Sequence, residues 1–129
     1  MNTLATYHFP VEDNDKGINE VTVDLCYRTG NDNPYRQETR GYFASFTPVN
    51  RVNKDGYCTV TFDRNVPGFK LFLLPVSRQS KGAAKEARRV LEHKLGFCLE
   101  TLESDYGFHI KRDGLVQVPG ENLYDYVSA

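Results

Sequence analysis

The stretch from Gly68 to Leu95, GFKLFLLPVSRQSKGAAKEARRVLEHKL, decides how the rest of the chain is arranged. Its first half reads as a buried β-strand and its second as an amphipathic helix, joined by a short polar turn. Phe69, Leu71 and Leu73 fall on one face of the strand and Phe72, Leu74 and Val76 on the other, and Lys70 is its one charged residue. A short run that is apolar on both faces predicts a central strand covered on both sides. Pro75 has no N–H to donate, so regular pairing is expected to stop there. The helix is expected to begin at Ser80, whose hydroxyl can accept from a free N–H of the first turn. Ala84, Ala87, Leu91 and Leu95 recur at three- and four-residue steps, with Ala83 and Val90 beside them, and form a stripe that faces the core. Lys81, Lys85, Arg88 and Glu92 lie on the opposite side. Helical spacing continues through Cys98 or Leu99 to Leu102. The helix is therefore expected to run from about 80 to 104, with Gly96 inside it at a cost of ~1 kcal/mol relative to Ala.

Before this unit the pattern changes to strands. Residues 3–9 make a first, weak strand, and PVEDNDKG at 10–17 an acidic turn. Val21, Val23, Leu25 and Tyr27 alternate with polar neighbours, as a half-buried strand requires. TGNDNP at 29–34 is a loop. Gly41 opens a strand in which Tyr42, Ala44 and Phe46 take one face and Phe43, Ser45, Thr47 and Val49 the other. The turn Asn53-Lys54-Asp55-Gly56 carries the Asp-Gly signal of a tight hairpin. Cys58, Val60 and Phe62 then alternate, which predicts a β-hairpin over 42–63. After the helix, Tyr106 to Val118 reads as a C-terminal hairpin turning at Arg112-Asp113-Gly114, followed by an acidic, tyrosine-bearing tail. Strands in hairpins with one late helix make an α+β domain: a largely antiparallel sheet with the helix across one face. The 129 residues suit a single compact domain over 1–129.

Composition sets limits on function. With 40% hydrophobic and 26% charged residues the chain is globular in character. No apolar run approaches the ~20 residues that cross a bilayer, and the N-terminus shows no signal-peptide pattern. No membrane partner and a cytoplasmic location are expected. Cys26, Cys58 and Cys98 are odd in number and widely spaced, which predicts free thiols in place of a disulfide framework or a zinc site. The net charge of −1 conceals segregation: residues 36–94 hold twelve Lys and Arg against five Asp and Glu, and the two ends hold four against twelve. Such a division suits a surface for a polyanion, or acidic ends packed beside a basic middle.

No motif of a hydrolase, zinc protease or nucleotide-binding loop is present, and His8, His93 and His109 stand at no metal-binding spacing. No cofactor, metal or catalytic group is expected. The turn into the helix is the sharper feature. A helix N-terminus already carries about half a positive charge, yet Arg78 and Lys81 stand there beside Ser80, with Lys85 one turn on. An anion, most simply a phosphate, would reconcile those charges. Arg88 and Arg89 would extend the contact, and Arg36, Arg40, Tyr42, Arg51 and Lys54 are secondary candidates. Equally, cations on a solvated helix face are ordinary.

SKGAAKEARR resembles the closing helix of double-stranded-RNA-binding domains, which starts with Ser, a pair of lysines and a further lysine one turn on. Ser80, Lys81, Ala84 and Lys85 match that pattern. Gly82 replaces the second lysine, Arg88 and Arg89 fall where that family has small buried residues, and no first helix precedes the sheet. The resemblance implies phosphate contacts from the helix N-terminus and extends no further than this stretch. The leading expectation is thus a small non-enzymatic binding module for nucleic acid, nucleoprotein or another polyanion. The alternative is a protein–protein adaptor or inhibitor working through the acidic, tyrosine-bearing ends. A small-ligand enzyme without a recognisable motif comes third.

Overall fold

The computed structural model describes residues 2–28, 40–76 and 78–112. Among these residues five strands and one long helix follow in the order β1 (Asn2–Pro10), β2 (Glu20–Arg28), β3 (Gly41–Lys54), β4 (Tyr57–Thr61), β5 (Phe69–Pro75) and α1 (Lys81–Tyr106). All pairings are antiparallel. β1 pairs with β2 and β2 with β3, while the other edge of β3 is shared: its first half pairs with β5 and its second half with β4. The domain is α+β, an antiparallel sheet with one helix packed on it.

The hairpin read from Asp-Gly forms as expected. Asp55 and Gly56 both have positive φ, 54° and 81°, the condition for the tight two-residue turn that matches strand twist. Tyr42, Ala44 and Phe46 point into the core on the α1 side, opposite Tyr27, Leu25 and Val23 of β2. From α1 come Ala84, Ala87, Leu91, Cys98, Leu99 and Leu102, all buried, and Phe108 and Ile110 close the same core. Small alanines at the start of α1 let its backbone approach the sheet. There the Tyr42 hydroxyl, 3.3 Å away, donates to the Ser80 carbonyl and accepts from the Ser80 N–H.

Ser80 is the N-cap, in extended conformation, and its hydroxyl accepts from the Ala83 N–H at 3.2 Å. The helix passes through Gly96 and ends two residues later than the spacing suggests. Gly107, at φ 73°, supplies the left-handed turn there and donates its N–H to the Glu103 carbonyl.

One expectation is overturned. β5 is not a central, doubly covered strand: among the described residues it pairs with β3 alone, and its far edge is unpaired. The pairing register shifts between Tyr42 and Phe43, leaving Leu73 without a partner and setting Leu74 opposite Tyr42. Leu71, Leu73 and Leu74 therefore all join the α1 side. Phe72 stays on the open face opposite Phe43, 46% exposed. A bulge thus makes a one-sided strand look two-sided in sequence.

Of the expected C-terminal hairpin, residues 113–118 lie outside the described residues. Its first arm instead runs beside the end of β1: Val11 bridges to Ile110, the Glu12 N–H donates to the His109 carbonyl, and the Lys111 N–H donates to the Pro10 carbonyl.

Leu91→Ala is expected to cost about 2–5 kcal/mol, the range for a fully buried leucine, with Leu73→Ala at the lower end because it borders the open edge. Gly68→Ala should also destabilise. Gly68 has φ 76°, and a Cβ there would overlap the Phe46 carbonyl oxygen. Urea titrations at constant slope measure all three, and parent-like midpoints would mean that the core lies elsewhere.

Candidate binding surface

The cations singled out in the sequence separate into three groups. Arg78, Lys81 and Lys85 are exposed around the capped N-terminus of α1, and the first turn contains no acidic residue. Arg88 and Arg89 are already engaged. Arg88 Nε donates to Glu92 Oε1 at 2.9 Å and is only 25% exposed, and Arg89 Nη1 donates to Glu86 Oε2 at 2.9 Å. Pairs of this i,i+3 and i,i+4 kind alternate charge along the helix, so the positive band is broken beyond its first turns.

The secondary candidates do not assemble into one patch. Arg36 lies outside the described residues. Arg40 is exposed just before β3, and Lys54 is exposed at the hairpin turn, about 45 Å away at the rise of an extended strand. Tyr42 is buried and bonded to Ser80, out of reach of a surface ligand; burial pushes its phenol up, against the bond with the Ser80 backbone. Arg51 is held by Glu20, through Nε at 3.1 Å to both carboxylate oxygens, and its Nη1 donates to Cys58 Sγ at 3.3 Å.

That last pair belongs to a cluster on the face of the sheet opposite α1. The Glu20 carboxylate also accepts from the Thr22 hydroxyl at 2.6 Å and lies 3.1 Å from His8 Nδ1. A second carboxylate is bound in the same way at the end of α1. Glu103 accepts from the Ile110 N–H at 2.9 Å and from Arg112 at 2.6 Å, with His109 Nδ1 at 3.1 Å. In both, burial pushes the carboxyl up, but the hydrogen bonds and neighbouring cations outweigh it, and each ends below the usual carboxylate range. Among the described residues no group of three or more His, Cys, Asp or Glu stands close enough to hold a metal ion, and no helix is long and apolar enough to cross a membrane.

An apolar opening lies outside the set of binding residues that the sequence singles out. A groove of about 610 Å³ runs between the second half of α1 and the start of β5. Phe69, Leu71, Phe97 and Cys98 form its apolar lining, and His93, Lys94, Thr101 and Asp105 its rim. Phe97 is 75% exposed. It stands four residues from both His93 and Thr101, on the polar side of the helix, and a large aromatic at that position is the signal the periodicity contained. The groove borders the unpaired edge of β5. Among the described residues, an apolar trough, an exposed aromatic and backbone donors and acceptors without a strand partner thus occupy one side of the molecule, a combination suited to docking polypeptide.

Comparison with protein-family models, with curated proteins and with solved structures finds no significant match for the chain.

Because the folded Glu20 carboxyl lies below its unfolded value of ~4.3, its contribution to stability is present above that pH. It is lost as pH falls through the lower folded value. Glu20→Gln should therefore be less stable than the parent at neutral pH, with the gap closing as pH drops below ~4. Thermal melts of both chains across that range measure the gap, and a pH-independent difference would count against the role assigned to the charge.

Proposed function

We propose that this protein is a small non-enzymatic binding module whose partner is another protein, docked on the α1/β5 side. The observation that carries this reading is Phe97: three-quarters exposed, on the polar face of α1, beside an apolar groove and a strand edge that is unpaired among the described residues. Large solvent-facing aromatics next to apolar pockets are what the centres of protein interfaces are made of. The acidic, tyrosine-bearing tail named in the sequence reading lies outside the described residues.

Nucleic-acid binding is the second reading. Arg78, Lys81 and Lys85 are exposed together around an N-terminus capped by Ser80, which favours a phosphate there. Arg88 and Arg89 support it less, each having a carboxylate partner on the same helix.

Two variants separate the readings. Immobilised, nuclease-treated parent protein should retain a partner protein that Phe97→Asp loses and that the Lys81→Glu/Lys85→Glu double variant keeps. Fluorescence anisotropy with duplex and single-stranded probes supplies the other arm. If the parent binds a probe with log affinity falling against log salt at about −0.9 per phosphate on duplex DNA, and the lysine variant abolishes it, the second reading replaces the first. Retention that is indifferent to Phe97 removes the first reading.

A further inference from the structure

The same surface carries information about the shape of its partner. An isologous interface needs a patch that holds both a projection and the hollow that receives it, with opposite charges placed to exchange across a two-fold axis. The α1/β5 side has each part. Phe97, three-quarters exposed, is the outward wall of the hollow that it lines with Phe69, Leu71 and Cys98. Lys94 and Asp105 stand on the rim eleven positions apart, about 16 Å along the helix. Phe97 lies between them, so a second copy in reversed orientation sets each Lys94 against the other copy's Asp105.

We infer that the partner on this surface is a second copy of the chain, related by a two-fold axis beside β5; this rests on the protein-binding reading above. The β5 edges pair antiparallel and join the two sheets. Both helices then lie on one face, antiparallel, and each Phe97 enters the groove of the other copy. The spacing is suitable. Adjacent strands are about 4.8 Å apart, and α1 packs mainly over β5, less over β3. The two helix axes consequently come within about two to three strand spacings of each other, roughly 10–14 Å, somewhat wider than the 8–10 Å of directly packed helices. Phe97 is of a size to fill the remaining gap. Lys70, the one charged residue in β5, leans over the Phe43 ring on the opposite face, 5.6 Å from its centroid, and leaves the groove side of the edge uncharged.

Sedimentation velocity on the full chain over a wide concentration range tests this. The parent is expected to pass from one to two chain masses as concentration rises. Phe97→Asp should raise the dissociation constant by at least ~30-fold, since it places a charge in a desolvated pocket twice per dimer. Lys94→Asp should raise it by about tenfold through two new repulsions. The exchange Lys94→Asp/Asp105→Lys should restore the parent value, a rescue that a misfolded variant cannot give. A parent that stays monomeric throughout overturns the inference, and so does a double exchange no better than Lys94→Asp alone. If the parent is monomeric but still captures another protein through Phe97, the second-copy inference falls and the protein-binding reading stands. If it is monomeric and captures nothing, both fall.

Discussion

Everything in this fold depends on β3 being paired along both edges. β2 runs along one side from Gly41 to Val49, and β5 and β4 divide the other. A strand enclosed in this way can bury Tyr42, Ala44 and Phe46 completely, and those side chains are the floor on which α1 rests. The ladder with β5 is held close at both ends by glycine. A Cβ on Gly41 would overlap the Leu74 carbonyl oxygen, as one on Gly68 would overlap that of Phe46. Two tyrosine hydroxyls then join the ladder to the helix. Tyr42 bonds the N-cap residue, and Tyr106 near the other end accepts the Gly68 N–H at 3.4 Å. Backbone approach, core floor and helix placement are one constraint seen at three levels.

Local signals in the sequence were sufficient where the physics is local. Asp-Gly specifies the hairpin because positive φ at both central residues is a property of the turn itself. Ser80 caps the helix because its hydroxyl reaches an N–H three residues away, and the Ala84–Leu102 stripe faces the core because 3.6-residue periodicity places it there. What could not be read is what depends on distant partners. Apolar residues on both faces of β5 imply a covered strand only if the alternation is unbroken, and the bulge at Leu73 breaks it. Arg51 looked like a free surface cation, yet it is held by Glu20, thirty-one positions earlier. Tyr42 looked like a surface aromatic beside cations and is buried among the core residues. Arg88 and Arg89 have the sign that a phosphate requires, but Glu92 and Glu86, one turn away, pair with them and change what those arginines have to offer.

The charge segregation along the chain has a related explanation. Acidic residues from the ends come back to cations of the middle or of their own segment, as Glu20 does to Arg51 and Glu103 to Arg112. Both carboxylates are largely buried, so each bond is formed away from full solvent screening. Folding thus cancels part of the contrast that the linear sequence displays, while exposed cations remain at separate places, among them Arg40, Lys54, Arg64 and the start of α1.

The edge of β5 that is open among the described residues remains as the feature that most needs a physical account. Natural sheets blunt such edges with bulges, prolines and charges, and β5 has one of each: the register shift at Leu73, Pro75 at its end and Lys70 near its start. These devices act unequally. Pro75 and the bulge spoil the second half of the strand for regular pairing, while Lys70 is turned toward Phe43 on the far face and does not obstruct the first half. Only Phe69 to Phe72 is left with an unobstructed edge, too short a ladder to associate on backbone bonds alone. In the proposed interface specificity comes from side chains next to those four residues, where the groove, Phe97 and the Lys94/Asp105 rim are found. The truncated edge discourages indiscriminate strand addition, and in the proposed interface it leaves room for one partner whose side chains match the adjoining groove.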